Sequence, residues 1–505
     1  MLSQREIVLA SATVVSISCG LNYLFSAYAP QLANQLGLSS TSTNLVGAAG
    51  NLGVYLSSPI IGRIVDRQGP KPTLLFAAVA LTSGYLLIRA FYVGGDADGS
   101  LFAKLGVPGL ALAELLTGIG STAGLSSAGN TVAKSYKKKR AAALSVVLSG
   151  FGLSAFFYST LSSALLHSVD TDRDTTPSFL LLLAIGCLIS MSLGVLLVKP
   201  VANSSPVDAL HETATDSSVH VPAVDADAEA DVVVEPTATE RTPLVNIKAR
   251  KDEINVSGLA LFRELDFYLI FLFNGLCAGV GLCYINNIGT VIRSLSLASD
   301  SAHPLPSPHS IALTQSRLVS LLSIFNFLGR LCSGFGSDYF VHHKIEGRRV
   351  HRVWWLVWTS SFYTLSQVFA MHATRIEGWK GLVLPTILTG FAHGSLFGIS
   401  GVIGLERFGL KNFSGTNGLL ALAPALFGQS TNLIFGRIYD SHSHSHSRDS
   451  APSRLAVPSS SPTTCTLGRA CYLDAFRLTT AMAAGAVVVA LVLATGRKSM
   501  KIRAA

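Results

Sequence analysis

Ionisable side chains embedded in long apolar runs are the residues of this sequence best suited to chemistry. Glu114 lies in the run 106–130 and His393 in the run 381–404. A charge in hydrocarbon is expensive, so each such group is a functional candidate by default. A carboxyl and an imidazole in that setting can bind and release a proton. The competing roles are a Glu114 paired with a neighbouring helix and a His393 hydrogen-bonded within a helix bundle. A second constellation is Gly62, Arg63, Ile64, Val65, Asp66, Arg67, Gln68, Gly69, Pro70, Lys71. Its first glycine lets two helices approach closely, its aspartate can face a neighbouring helix N-terminus, and Arg67 can pair with a carboxylate. Such contacts can latch one conformation; the plain alternative is a turn carrying topogenic charges. A degenerate copy, Gly334, Phe335, Gly336, Ser337, Asp338, repeats the glycine-to-aspartate spacing but has Tyr339 where the first has Arg67. The second latch is therefore weaker or differently paired.

The elements that must position these residues are membrane helices. The 505 residues are 49% hydrophobic and only 13% charged, with a mean hydropathy of +0.46, against roughly 25% charged in ordinary soluble domains. That composition excludes a water-soluble enzyme. Apolar stretches long enough to cross a bilayer fall at 7–29, 43–62, 72–93, 106–130, 141–166 and 178–198, and again at 267–292, 316–340, 353–373, 381–404, 415–438 and 474–495. Two sets of six predict an all-α, polytopic protein of twelve transmembrane helices, with an N-terminal half over 1–199 and a C-terminal half over 263–505. The first run continues without a small-residue cleavage site and reads as a retained helix. Between the halves, 200–262 carries Asp208, Glu212, Asp216, Asp225, Asp227, Glu229, Asp231, Glu235 and Glu240 with almost no aromatic residues. It reads as a disordered, acidic tether.

Short loops rich in Lys and Arg stay on the cytoplasmic side. The loops after predicted helices 2, 4, 8 and 10 hold Arg63, Arg67, Lys71, Lys134, Lys137, Lys138, Lys139, Arg140, Lys344, Arg348, Arg349, Arg352, Arg407 and Lys411, whereas the first, third and fifth loops offer only Lys104 and Arg173. Both termini and the tether are expected to be cytoplasmic, although Arg448, Arg454 and Arg469 in the last non-cytoplasmic loop weaken the bias. This clustering between apolar runs, and not along one basic face, accounts for the formal charge of +9 and points to the bilayer as partner, with no nucleic acid.

The Gly62 to Lys71 segment resembles the signature of the major facilitator superfamily, and the copy at Gly334 to Asp338 fits the duplicated halves of such a fold. Asn22 to Pro30, Gly150 to Ser154, Phe408 to Asn412 and Gly436 to Asp440 are similar to the nodulin-like and monocarboxylate-porter branch. Within it, the chain most resembles the fungal monocarboxylate-transporter homologues of the vacuole membrane. The resemblance implies a 6+6 bundle whose helices 1, 4, 7 and 10 line a central cavity for a small-molecule substrate. It places Glu114 and His393 there as proton-coupling candidates, with Asn22, Tyr23, Tyr284, Asn286 and Asn287 as polar wall residues that can bind a solute or serve as interhelical hydrogen-bonding groups. Arg330, four positions before Gly334, matches the substrate-associated arginine of the monocarboxylate porters and can hold a carboxylate bidentately. The acid those porters place one turn earlier is Asn326 here, and their helix 1 lysine is absent. The other reading is an Arg330 that snorkels to the interface and supports the Gly334 turn.

No Walker-type phosphate loop occurs, and no nucleophile stands with a base or metal cluster at diagnostic spacing. The expected protein is not an enzyme and carries no cofactor or metal. Its seven cysteines form no CxxC pair; Cys465 and Cys471 share the last non-cytoplasmic loop and can form a disulfide. The run Ser441, His442, Ser443, His444, Ser445, His446, Ser447 can chelate a metal loosely but reads as a low-complexity loop. Glu240, Arg241, Thr242, Pro243, Leu244, Val245 resembles an acidic dileucine sorting signal, accessible to a sorting adaptor. The expected function is secondary active transport or facilitated passage of a small solute across the vacuole membrane by alternating access. The alternative is a solute sensor of the same fold that signals through the tether, and a channel is disfavoured by the paired latch motifs.

Overall fold

The computed structural model describes residues 3–38, 40–95, 97–136, 139–166, 175–201, 256, 258–297, 308–343, 350–373, 378–449, 465 and 467–496. Residues 202–255, with the acidic run and the sorting-signal resemblance, lie outside the described residues. Among the described residues the regular structure is fourteen α-helices with short 3-10 turns, and there is no strand.

The first predicted span is broken into α1 (Gln4–Ile17), a 3-10 turn at Leu21–Leu24, and α2 (Phe25–Gln35). The break follows Gly20, a poor helix former, and the Ser121 hydroxyl donates to the freed Cys19 carbonyl. The remaining spans of the first half are α3 (Ser40–Gln68), α4 (Pro70–Gly94), α5 (Leu101–Ser135), α6 (Arg140–Leu166) and α7 (Thr176–Leu197). The α3–α4 turn is tight because Gly69 takes φ +83°, a left-handed value that glycine adopts without penalty, and Pro70 opens the next helix.

The second half comprises α8 (Leu265–Leu297), α9 (Pro308–His342), α10 (Trp354–His372), α11 (Val383–Phe408), the pair α12 (Phe413–Leu420) and α13 (Leu422–Asp449), and α14 (Leu473–Thr495). The eleventh span is interrupted because Pro424 has no N–H to offer the Leu420 carbonyl. One expectation is corrected here: Ser441 to Ser447 continue α13 and are not a loop. Neither Gly nor Pro interrupts that run, so helix propagation proceeds through it. Among the described residues ten spans, the α12–α13 pair counted as one, are long and apolar enough to cross a membrane. The other two of the twelve spans are the broken first one and α10, whose Trp, Ser, Thr and Gln lower its hydropathy.

Within the first half α5 packs on α3 and α4, and α4 on α7; within the second α9 packs on α11, α8 on α13, and α10 on α14. The halves meet where α6 lies along α9 and α3 along α12. A small apolar cluster of Ala133, Ala141 and Leu144 with Val402, Leu405 and Phe413 fills that junction. Around the outside, Ile60, Val79, Leu112, Ile189, Leu433 and Val488 expose 60–69% of their surface, an apolar belt that lipid satisfies and water would not.

Candidate functional site

Asp66, near the end of α3, reaches across to the second half. Its Oδ1 accepts from Asn130 Nδ2 at 2.6 Å and from the Ser414 N–H at 3.1 Å, and its Oδ2 accepts from the Gly415 N–H at 2.7 Å. Ser414 and Gly415 belong to the first turn of α12, whose N–H groups have no intrahelical acceptor. Asn412, the residue at the α12 N-cap, supplies no side-chain bond. Asp66 is therefore the cap of α12, and the anion also faces the positive end of the helix dipole. Asn130 of α5 donates to Ser414 Oγ at 2.6 Å as well. Gly62, one turn before Asp66, lies against the Ser414 carbonyl so closely that a methyl group there would collide with it.

The copy behaves likewise with the halves exchanged. Asp338 of α9 accepts from the Ala142 N–H, in the first turn of α6, at 2.9 Å. Gly334 lies against the Ser145 side chain and Ala141 carbonyl of α6. The different pairing expected from Tyr339 has a specific form. Tyr339 is exposed and stacks on His343, while the buried Arg352 supplies the cation, bound to Asp338 at 2.6 Å and to Glu406 at 2.5 Å. In the first copy Arg67 and Lys71 are exposed, and Arg67 forms no ion pair among the described residues. The acid is satisfied by backbone N–H groups and an amide. An Asp266–Arg407 ion pair joins the start of α8 to the end of α11 at the same end of the bundle, which is the end with the basic loops.

Directly inside these contacts lies a cavity of about 160 Å³ between the halves. Its polar wall includes Asn22, Asn51 and Thr122 from the first half and Asn274, Ser400 and Asn417 from the second, and Arg330 is its one charged lining residue. Arg330 is 3% exposed, so it does not snorkel. Its Nε donates to Asn326 Oδ1 at 2.9 Å and its Nη1 to the Leu148 carbonyl of α6 at 3.0 Å. The guanidinium stands between the rings of Phe151 and Phe397, 5.5 and 5.6 Å from their centroids, in cation–π range. Asn326 thus occupies the place where the monocarboxylate porters have an acid, and holds the guanidinium by its amide oxygen.

Of the residues singled out by sequence as wall or coupling groups, the cavity lining gathers Asn22 and Arg330. Glu114 is buried behind the wall and accepts from the Tyr28 hydroxyl. His393 is buried in the second half, with Nδ1 2.8 Å from the Tyr363 hydroxyl and its ring edge-on to Phe397. Tyr284 shares a hydrogen bond with Thr386 at 2.9 Å, Asn287 donates to Asn432 at 3.0 Å, and Asn286 is exposed outside the lining. The Tyr23 side chain lies outside the described residues. Asn130, Asn274, Arg352 and Glu406 are contributors that the sequence reading does not single out. Arg352 counts there only as a loop cation, although its type matches the missing partner of Asp338.

At the opposite end of the bundle Cys465 and Cys471 form a disulfide with a Cα–Cα distance of 6.1 Å, and the Cys465 N–H donates to the Tyr439 hydroxyl at 3.1 Å. Among the described residues no three His, Cys, Asp or Glu side chains are grouped to hold a metal.

The family model described as Major Facilitator Superfamily matches residues 11–496. The chain is 24% identical over 493 residues to a protein of Neurospora crassa named probable transporter mch1, covering 87% of this chain and 81% of the relative. It is 23% identical over 459 residues to the probable transporter MCH1 of Saccharomyces cerevisiae, covering 87% and 85%. Among solved structures it is similar to a bacterial homologue of the iron transporter ferroportin in an outward-facing state, with a TM-score of 0.56, 15% identity, and coverage of 97% and 99%. It is also similar to the transporter FucP in the outward conformation, with a TM-score of 0.52, 12% identity, and coverage of 96% and 99%. At these identities the structures speak for a shared fold.

Proposed function

Because the chain belongs to the major facilitator superfamily, we propose that it is a secondary transporter or facilitator that moves a small polar solute by alternating access, its halves rocking about the Arg330 cavity. The observation that carries this reading is the pairing of a two-sided cavity with two reciprocal caps. Each half donates one carboxylate to a helix N-terminus of the other, at Asp66–Gly415 and Asp338–Ala142, and both caps close the same end. Breaking both opens the basic end without disturbing either half's own core. The relatives' names, probable transporter, support the same reading.

The cavity wall favours a class of cargo. With amides, hydroxyls and a guanidinium as its one charged lining group, the site suits a neutral polar or anionic solute. The basic loops favour the cytoplasmic side for the capped end, both termini and the tether. The disulfide at the other end fits a non-cytoplasmic, oxidising space. A vacuole-membrane address is supported by the sorting-signal resemblance at Glu240 to Val245.

The test compares solute pools of vacuoles from cells with and without the gene, then follows exchange of each differing solute in vesicles carrying the purified protein. Exchange that is lost in Arg330→Gln is expected. Unchanged pools and no exchange would leave a sensor role in place of transport.

A further inference from the structure

At the end of the bundle opposite the caps, the histidine run Ser441 to Ser447 continues α13 as helix. Helical register then fixes how its histidines are arranged. Each residue advances by about 100°, so position 446 falls one turn beyond His442 on the same face, whereas position 444 falls about 200° round from it. A histidine pair at i and i+4 on one helix face is the spacing with which a helix offers two imidazoles to one metal ion.

His442 is oriented as such a ligand. Its Nδ1 stands 2.8 Å from the Ile438 carbonyl. A carbonyl can only accept, so Nδ1 carries the proton and Nε2 is the nitrogen with the lone pair, as in metal-bound histidines steadied by a backbone carbonyl. That Nε2 faces Asp474 Oδ2 of α14 at 3.9 Å, too far for a hydrogen bond. Two ligand atoms about 2.1 Å from one zinc ion in tetrahedral array stand about 3.4 Å apart, so a shift of about half an ångström brings both onto an ion. Both side chains are partly exposed and have room for that shift, His442 at 30% and Asp474 at 50%. The other Asp474 oxygen accepts from the exposed Arg477 Nη1 at 2.8 Å, which leaves Oδ2 on the histidine side. A plain His442–Asp474 ion pair is the competing arrangement; it requires a proton on Nε2 and has no use for position 446.

The two helix ends are held in place without any ion. The Cys465 N–H donates to the Tyr439 hydroxyl, three positions before His442, and the Cys465–Cys471 bridge closes three positions before Asp474. Ligand carriers fixed in advance lower the ordering cost of binding. We propose that His442, His446 and Asp474 form a binding site for a divalent transition-metal ion of the zinc class, with water completing the coordination. Imidazole and carboxylate donors suit such an ion. His442 and Asp474 are outside the cargo cavity lining, so the site stands independently of the transport reading.

The test is equilibrium dialysis of zinc against the full-length protein, purified without a histidine tag and with the exposed Cys332 thiol replaced by serine. The protein with its histidine run intact should hold about one zinc ion per chain. His442→Ala and His446→Ala should each weaken binding by at least about tenfold, Asp474→Asn should weaken it several-fold, and His444→Ala should leave it unchanged. No saturable zinc binding would overturn the site outright. Equal weakening in all three histidine variants would replace it with loose chelation by the run, and an affinity unmoved in His446→Ala would replace it with the ion pair. Because the intact run is measured first, poor folding of a variant does not obscure the answer, and failure here leaves transport untouched.

Discussion

The Asp66 carboxylate accepts the Gly415 N–H at 2.7 Å across the junction of the halves, so an acid of the second span caps a helix of the eleventh. Asp338 does the same for Ala142 in the opposite direction. Charge-assisted hydrogen bonds contribute about 1.5–3 kcal/mol each, and about 1.4 kcal/mol is a tenfold change in an equilibrium. Asp66→Asn should therefore raise amide hydrogen exchange in 413–420 by about tenfold, with a smaller change in 140–148. Asp338→Asn should reverse that pattern. Mass-spectrometric exchange on the purified protein reads both; equal exchange in wild type and variants would mean the caps are dispensable.

Arg352 bridges Asp338 and Glu406 with 6% of its surface exposed. Removing one member of a buried ionic group leaves uncompensated charge and costs about 3–5 kcal/mol. Arg352→Gln should lower the thermal unfolding midpoint in detergent, and adding Glu406→Gln should recover part of the loss. The exposed Arg67 offers a contrast, since Arg67→Gln should change the midpoint little.

Arg330 makes two directed bonds, to Asn326 and to the Leu148 carbonyl, from one planar group. A lysine has no such fork. Solute exchange should fall at least tenfold in Arg330→Lys and further in Arg330→Gln, measured with whichever solute the vacuolar comparison yields. Full exchange in Arg330→Gln would remove this residue from the cargo site.

The Cys465–Cys471 bridge closes a short loop, worth about 2 kcal/mol by the chain-entropy relation. Cys465→Ser should lower the unfolding midpoint modestly. In sealed vacuoles an impermeant thiol reagent should label these cysteines only after the membrane is ruptured and the bridge reduced. Labelling in intact organelles would invert the proposed orientation.

How much of this was legible in sequence varies by residue, for physical reasons. The spans are plain because a bilayer forces long apolar runs, and the glycine-to-aspartate spacing marked both caps. What Asp66 contacts was not legible beyond a helix N-terminus, because its partners are mainly backbone N–H groups, which leave no residue signature. The breaks in the first and eleventh spans turn on single residues, Gly20 and Pro424, inside otherwise continuous apolar runs. Glu114 was visible as an acid among apolar neighbours, whereas its hydroxyl partner Tyr28 was not, because no spacing in the sequence pairs the first span with the fourth. Arg352 looked like any other loop cation until Asp338 was found beside it.

The most direct test of the two-cap account is a pair of spin-label distances in vesicles, with Cys332 replaced by serine. One pair, at Arg67 and Lys411, spans the basic end, and the other, at Asp98 and His372, spans the opposite end; all four positions are exposed. In the otherwise native protein the short Arg67–Lys411 distance should dominate. In the Asp66→Asn, Asp338→Asn double variant that distance should lengthen while the Asp98–His372 distance shortens. An unchanged basic-end distribution, or lengthening at both ends together, would contradict the claim that reciprocal caps hold one of two alternating states.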